Sequence, residues 1–244
     1  MEKYVLILGA KSDIGRALAR EYAAAGYHIY LAARKVEEIE DDAKDLQIRY
    51  GIKASAHAFD ATKYETHLSF YQQFTSQPDT VIAVFGVLYE QEKAQNDWQL
   101  ALNTMKVNYV GAVSILEIAA RSMEKQQSGT IIGISSVAGD RGRASNYLYG
   151  SAKAGFTAYL SGLRNRLAKA NVHVLTVKPG FVKTAMTQNL ALPPVITGQP
   201  QQVAKDIFKA AQKKKNELYT LWMWKYIMLI IKSIPEFVFK KMKL

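Results

Sequence analysis

The chain has 244 residues, of which 49% are hydrophobic and 22% charged, and it contains no cysteine. These values fit one large α/β domain, argue against disorder, and exclude disulfides, thiolate zinc sites and a cysteine nucleophile. The formal charge of +11 raises nucleic acid as a partner, but the basic residues are scattered and no nucleic-acid-binding motif appears, so we expect no such partner.

Short apolar runs alternate with longer helical patterns along the chain. The predicted strands are Tyr4–Leu8, His28–Ala32, Ala54–Phe59, Val81–Phe85, Thr130–Ile134 and Val172–Val177, and the helical stretches between them include Ile14–Ala25, Glu37–Tyr50, Met105–Lys125 and Ser151–Ala170. This alternation predicts a single-domain, Rossmann-type α/β fold, a doubly wound parallel sheet with helices on both faces. We expect residues 1–219 to form a dinucleotide-binding and catalytic domain, followed by a distinct tail at 220–244.

The first predicted strand follows Glu2 and Lys3 directly and is too short for a secretory signal, so we expect a cytoplasmic protein. A glycine-rich turn, GAKSDIG at residues 9–15, joins this strand to the first helix. Such a turn presents backbone N–H groups and a helix N-terminus to a pyrophosphate. The positions predicted to bind the cofactor here are Gly9, Lys11, Ser12, Ile14 and Gly15.

The second predicted strand ends near Arg34, where a dinucleotide fold that prefers NAD typically carries an acidic residue. Arg34 and Lys11 place two cations near the expected adenine ribose. Because cations suit a 2′-phosphate, the sequence favours NADP(H) over NAD(H). We expect no metal, since no metal-ligand spacing appears.

The strongest chemical signal is Tyr149-Gly-Ser-Ala-Lys153, thirteen residues after the serine pair Ser135-Ser136 at a strand end. A tyrosine and a lysine four residues apart lie on the same helix face, so both can reach one reacting centre. A phenol can deliver the proton that carbonyl reduction requires. Its reference pKa near 10 is high for that task at pH 7, and a neighbouring ammonium favours the phenolate.

Together these features resemble the short-chain dehydrogenase/reductase family over nearly the full chain. The resemblance implies an enzyme in which Tyr149 is the general acid and base and Lys153 also bonds the nicotinamide ribose. It assigns Ser136, rather than Ser135, to the substrate oxygen, and Asn108 to a water in the proton relay. The alternative is a dinucleotide-binding regulator that has kept the fold without the reaction, and the intact proton relay argues against it.

The resemblance assigns further cofactor contacts along the chain. Asp60 matches a position that contacts adenine, and Gly86 is retained where the family has N-N-A-G. The segment after the sixth strand resembles P-G-x-V-x-T, which adds Pro179, Gly180, Val182 and Thr184. The sequence departs from the family at Asp13, which stands where a glycine is expected. Because a carboxylate beside a diphosphate is unfavourable, we expect its side chain to turn away or to cap the helix.

The remaining segments bear on the substrate and partners. The loop after the sixth strand is apolar, and residues 221–244 carry five lysines and one glutamate among aromatic and aliphatic residues. Such a tail suits a membrane interface, at the inner face of the membrane. The alternative is a terminal strand plus a helix that packs on the domain or on another subunit. These features resemble a bacterial branch of the family that includes the reductase partner of the decaprenylphosphoryl-ribose epimerase system. They imply a lipid-linked keto sugar or a generic hydrophobic ketone as substrate, and a homodimer or homotetramer.

Overall fold

The computed structural model describes residues 2–242. Seven parallel strands form one sheet in the order β3-β2-β1-β4-β5-β6-β9, and two short strands, β7 and β8, pair separately. The strands are β1 Tyr4–Leu8, β2 His28–Ala33, β3 Ala54–Ala58, β4 Thr80–Ala83, β5 Gly129–Ile134, β6 Val172–Pro179, β7 Phe181–Val182, β8 Thr197–Gly198 and β9 Glu217–Thr220.

Helices connect the strands and cover both faces of the sheet. They are α1 Asp13–Ala24, α2 Glu40–Tyr50, α3 His67–Gln72, α4 Gln91–Asn96, α5 Trp98–Met105, α6 Ala112–Gln126, α7 Tyr147–Leu167, α8 Pro200–Gln212, α9 Met223–Ser233 and α10 Glu236–Phe239. A π-helical turn, Lys106–Gly111, joins α5 to α6. The predicted doubly wound α/β fold is therefore confirmed.

Alternation along the strands builds two cores. In β1, Val5 and Ile7 join the core that α1, α2 and α8 cover, whereas Leu6 and Leu8 join the core beneath α3, α6 and α7. All four side chains are completely buried, as expected for central strands that are covered on both faces. Apolar packing on both faces therefore holds the sheet in position. The loops at the ends of the strands remain available for a functional site.

The tail packs one face against the domain. Trp224 and Met228 of α9 are buried against Val137, in a third small core. The guanidinium of Arg141 donates hydrogen bonds to the carbonyls of Ile231 and Ile234 near the end of α9. This guanidinium also pairs with Glu236 of α10 at 3.0 Å and lies over the ring of Phe239.

Candidate active site

A large cleft opens at the carboxyl ends of the strands. Its position is the switch point of the sheet, where β2 lies on one side of β1 and β4 on the other. Open α/β sheets bind ligands at such a point. The cleft has a volume of about 870 Å³, and its lining includes the loops after β1, β2, β3 and β4.

The loop after β1 forms the floor of this cleft. Gly9 has φ +95°, and a Cβ there would lie 2.6 Å from the backbone nitrogen of Phe85, so the turn requires glycine. Ser12 caps α1 by accepting a hydrogen bond from the backbone N–H of Gly15. Asp13 turns away, as expected, and its carboxylate accepts a 2.8 Å hydrogen bond from the N–H of Ala185. This link ties the loop to the segment after β7.

The cations predicted near the adenine ribose lie at the end of β2. The ammonium of Lys11 pairs with Glu38 at 2.7 Å, a partner that the sequence did not indicate. The hydrogen bond from Lys11 lowers the pKa of Glu38. Arg34 is exposed and makes a smaller contribution to the lowered pKa of both Glu38 and Asp60. Burial alone would raise the pKa of Asp60, but two hydrogen bonds from Thr62, with Arg34 and Lys63, bring it below its usual value.

The end of β4 departs from the family pattern, as its sequence indicates. Phe85 lines the cleft and contacts the ring of Phe59, while Gly86 lies against Asn108. Asn108 is 1% exposed and stands in the π-helical turn. Its side-chain amide exchanges hydrogen bonds with the backbone of Val87, at 2.8 and 3.2 Å. The side chain of Asn108 thus holds this loop, and its part in a proton relay stays a prediction.

Ser136, Tyr149 and Lys153 meet at the end of β5. Ser136 follows the strand, and its hydroxyl shares a hydrogen bond with the phenol of Tyr149 on α7. Lys153, one turn further along α7, is 4% exposed and donates a 2.9 Å hydrogen bond to the carbonyl of Ile134. Its ammonium lies 5.7 Å from the centre of the Tyr149 ring. The hydroxyl of Ser135 instead bonds the carbonyl of Lys153 inside the protein, at 2.9 Å.

Burial shifts the two titrating groups in opposite directions. It raises the pKa of Tyr149 to about 12, and the hydrogen bond with Ser136 offsets part of that effect. It lowers the pKa of Lys153 to about 8. The lowered phenol pKa expected from the sequence is therefore absent in the protein alone, because loss of solvation outweighs the hydrogen bond with Ser136. At pH 7 the phenol holds its proton and can act as an acid.

The segment after β6 closes the site from the other side. Pro179 ends β6, and the N–H of Gly180 bonds the carbonyl of Thr220 on β9. A Cβ at Gly180 would overlap the indole of Trp224, so α9 approaches this segment at its backbone. Val182 is buried in β7, and the N–H of Thr184 donates a 3.1 Å hydrogen bond to the hydroxyl of Thr187.

A buried ionic network supports the turn that follows Ser136, residues 137–140, and no sequence motif predicted this network. Lys178 on β6 pairs with Asp140 at 3.1 Å, with side chains 7% and 4% exposed. Asp140 also accepts a 2.7 Å hydrogen bond from the phenol of Tyr219 on β9. Burial opposes the charge of Lys178, but Asp140, Tyr219 and Glu217 outweigh it and raise its pKa. The network joins β6, β9 and the turn that follows Ser136.

Residues 2–242 contain no cluster of three or more histidine, aspartate or glutamate side chains arranged to hold a metal ion. No helix within these residues has the length and apolar character needed to cross a bilayer.

Comparison with known proteins places this site in a family. The sequence matches the short chain dehydrogenase family over residues 3–193. The chain therefore belongs to the short-chain dehydrogenase/reductase family, and it is an enzyme, an oxidoreductase of that type. The resemblance drawn from its motifs is confirmed at this level.

Two relatives illustrate how far the similarity extends. An uncharacterized oxidoreductase of Mycobacterium tuberculosis is 33% identical over 241 residues, which cover 98% of this chain and 96% of the relative. The 3-oxoacyl-(acyl-carrier-protein) reductase FabG of Aquifex aeolicus is 30% identical over 195 residues, 78% of this chain and 77% of the relative. The similarity to the Mycobacterium tuberculosis oxidoreductase covers nearly the whole chain and so includes the C-terminal tail.

Solved structures share the fold at lower identity. A short-chain dehydrogenase from Sphingobium yanoikuyae in complex with NADPH aligns with a TM-score of 0.83 and 18% identity, over 96% of this chain and 97% of the other. An actinorhodin polyketide ketoreductase variant with NADPH aligns with a TM-score of 0.79 and 20% identity, over 89% and 95% of the two chains.

Proposed function

We propose that this protein is an NADP(H)-dependent oxidoreductase that interconverts a carbonyl and an alcohol, with Tyr149 as the general acid and base. The observation that carries the proposal is the meeting of Ser136, Tyr149 and Lys153 at the end of β5, in a sheet whose switch-point cleft begins at the Gly9 turn. A protein that only bound a dinucleotide would have no use for this buried phenol and ammonium.

The cleft fits a phosphorylated dinucleotide. Its floor offers the helix N-terminus behind Ser12, and its far end carries Lys11, Arg34 and Lys35. Cations at that end match a 2′-phosphate, and two proteins of the same fold were solved with NADPH. NADP(H) is therefore proposed over NAD(H). The phosphate would have to compete with Glu38 for Lys11.

Each catalytic group then has one task. Bound NADPH supplies the hydride that is added to the carbonyl carbon. Tyr149 donates its proton to the carbonyl oxygen, which the hydroxyl of Ser136 holds by a hydrogen bond. Negative charge develops on the phenol oxygen as the proton leaves, and the ammonium of Lys153 stabilises that charge. The reverse direction, alcohol oxidation, requires the phenolate.

The proposed substrate is an apolar carbonyl compound, a lipid-linked keto sugar being one candidate and a hydrophobic ketone the other. The supporting observation is the segment between β7 and α8, where Met186, Leu190 and Val195 are 45%, 49% and 79% exposed. Met186 also lines the cleft. Apolar side chains in this segment can cover a hydrophobic substrate. By analogy with the family we also propose a homo-oligomer, a dimer or a tetramer.

The tail supports a further proposal, contact with an anionic membrane surface. Four side chains at α9 lie on the face opposite Trp224 and are 56–71% exposed: Trp222, which directly precedes the helix, and Tyr226, Leu229 and Ile230. Lys225 and Lys232 follow one flank of that face, and Lys240 and Lys241 come shortly after it. Exposed rings beside lysines match a headgroup layer that carries negative charge.

The test of the reaction is Tyr149→Phe, because it removes the proton donor and little else. NADPH oxidation across a panel of hydrophobic ketones should fall about 10²- to 10⁴-fold, while NADPH binding, followed by cofactor fluorescence, stays nearly unchanged. Tyr147→Phe is the matched control, since Tyr147 lies two residues earlier on α7 and is 44% exposed. Retention of more than about a tenth of the activity in Tyr149→Phe would contradict the assigned role.

A further inference from the structure

A second cation lies near the catalytic pair, and nothing assigned so far uses it. Arg143 stands in the connection between the Ser136 turn and α7, six residues before Tyr149. Its guanidinium lies against the sulfur of Met228, with Nη2 3.2 Å from Sδ. Met228 packs with Val137, the residue that follows Ser136. The guanidinium is therefore linked, through Met228 and Val137, to the turn that carries Ser136.

Among residues 2–242, the guanidinium of Arg143 lacks the oxygen partner that comparable arginines have. Arg16 pairs with Asp42, Arg141 with Glu236, and Arg164 bonds the carbonyl of Val174. Within residues 2–242, the guanidinium of Arg143 has the thioether of Met228 as a hydrogen-bond partner of Nη2, and its buried Nε has no partner. A half-buried guanidinium whose Nε has no acceptor is costly, and burial lowers the pKa of Arg143 despite the nearby carboxylate of Asp140. That carboxylate is already engaged by Lys178 and Tyr219.

Two more unsatisfied polar atoms lie around the start of α7. The carbonyl oxygen of the Asn146 side chain and the amide nitrogen of Gln91 are both buried without a partner. Asn146 directly precedes α7, and Gln91 is fixed beside the first turn of α7, because its other amide atom accepts a hydrogen bond from the N–H of Leu148. Buried polar groups without partners are uncommon in folded proteins, and three of them around the start of the helix that carries Tyr149 indicate a polar ligand bound there.

We infer that Arg143 binds an anionic group, a carboxylate or a phosphate, of the carbonyl substrate, with Gln91 and Asn146 bonding polar atoms next to it. The inference rests on the proposed function, because it concerns the substrate of that reaction. It narrows the substrate class to carbonyl compounds that carry a negative charge. The charge could belong to a small metabolite or to a lipid headgroup, and both present the same chemistry to a guanidinium.

The kinetic test uses carbonyl probes that differ in charge and in lipid content. They are dihydroxyacetone, dihydroxyacetone phosphate, and palmitoyl dihydroxyacetone phosphate in detergent micelles, each assayed with saturating NADPH. The unmodified enzyme should prefer the phosphorylated ketones, measured as kcat/KM. In Arg143→Gln that preference should drop about 10- to 100-fold, the effect of one lost charge-assisted contact, while the rate on dihydroxyacetone changes little. Arg143→Lys should retain part of the preference.

The control is Arg121→Gln, which removes the same charge from an exposed position on α6 and should leave the preference intact. A larger gain for the palmitoyl probe than for the soluble phosphate would assign the anion to a lipid, and equal gains to a soluble metabolite. An undiminished preference in Arg143→Gln, or no preference in the unmodified enzyme, overturns the inference.

A binding measurement separates this inference from the proposed function. Titration calorimetry of dihydroxyacetone phosphate into the NADP-saturated protein should show binding that Arg143→Gln loses and Arg121→Gln keeps. If no ketone is reduced but this pattern appears, the anion site stands and the proposed reaction fails. If ketones are reduced and no binding is detected, the anion site fails alone. Thermal unfolding of each variant, together with the result for Arg143→Lys, shows whether a loss reflects misfolding.

Discussion

At the scale of single residues, the catalytic pair is defined by loss of water around both groups. Tyr149 resists ionisation because it is buried, and Lys153, whose ammonium bonds the carbonyl of Ile134, loses its charge more readily for the same reason. A buried phenol with its proton suits reduction, and a lysine that titrates near neutral pH makes the site sensitive to small changes of pH.

This sensitivity gives a prediction for the pH profile of ketone reduction. The charged lysine stabilises the developing phenolate, and its protonated fraction falls as pH rises through its pKa of about 8. The kcat for reduction should therefore decline above about pH 8. Lys153→Arg keeps the charge to much higher pH, so its rate, although lower, should not show that decline. A flat profile from pH 6 to 10 in the unmodified enzyme would rule out the role given to Lys153.

Cofactor choice is a second prediction at this scale. Arg34→Asp replaces a cation near the ribose with an anion, so the ratio of kcat/KM for NADPH to that for NADH should fall by about one to two orders of magnitude. The control is Arg20→Asp, an exposed position on α1 that does not line the cleft. Equal use of both cofactors by the unmodified enzyme would contradict the assignment.

The sequence alone was sufficient to predict catalytic residues that lie a few positions apart in a recognisable motif. Tyr149 and Lys153 are four residues apart on one helix, and their meeting with Ser136 could be predicted because a strand end precedes them. The ion pair between Lys11 and Glu38 could not be predicted from the sequence, since it depends on how the loops after β1 and β2 approach each other. The bond from Ala185 to Asp13, 172 residues away in the chain, required the assembled fold as well.

At the scale of elements, α9 has two apolar faces with different surroundings. Trp222 and Trp224 show the difference most clearly, because two residues on a helix turn the side chain to the far side. Trp224 is 3% exposed and bonds the carbonyl of Ile196 through its indole N–H, whereas Trp222 is 71% exposed. The inner face stabilises the loop beside the active site, and the outer face has no role in that packing.

The two tryptophans therefore make a matched pair for a stability measurement. Trp224→Ala should lower the free energy of unfolding by about 3–5 kcal/mol, because it empties a packed site beneath Gly180. Trp222→Ala should change it by about 0.5 kcal/mol or less. Denaturant unfolding followed by circular dichroism compares them. Equal effects of the two substitutions would show that α9 does not pack on the domain as described.

Element prediction from the sequence was accurate where periodicity is strong and failed where tertiary contacts decide. All six predicted strands are present, with ends that differ by at most two residues, as for β6, which continues to Pro179. A terminal strand was only an alternative for the tail, and the bounds of β9 were not predicted, because its four residues acquire strand structure only by pairing with β6. The π-helical turn was also not predicted, since the periodicity of Lys106–Gly111 does not distinguish it from an α-helix.

At the scale of the whole molecule, the exposed face of α9 predicts binding to anionic vesicles. The full-length protein should sediment with vesicles of phosphatidylcholine and phosphatidylserine more than with phosphatidylcholine alone, and salt should weaken the difference. Replacing Trp222, Leu229 and Ile230 with serine should abolish the binding. The matched control replaces the exposed Trp98, Leu68 and Ile48 with serine and should keep it.

Two outcomes would contradict this prediction. One is equal sedimentation with neutral and anionic vesicles at low salt. The other is a change of oligomeric state in the α9 variant, seen by light scattering, without any vesicle binding by the parent protein. In that second case the exposed face of α9 belongs to an interface between copies of the chain. Surface substitutions are preferred to truncation because removing the tail would also remove Trp224 and Met228 from their core.

The hydrogen bonds of Arg141 to the end of α9 have a consequence for folding of the chain. Arg141 lies between Ser136 and Tyr149, yet the carbonyls and the carboxylate that it binds belong to residues 231–236. These groups are 90 to 95 residues away from Arg141 in the chain, and closing so long a loop costs conformational entropy before the contact forms. The connection between Ser136 and Tyr149 is therefore anchored only when α9 docks, so its order depends on a segment that carries no catalytic side chain.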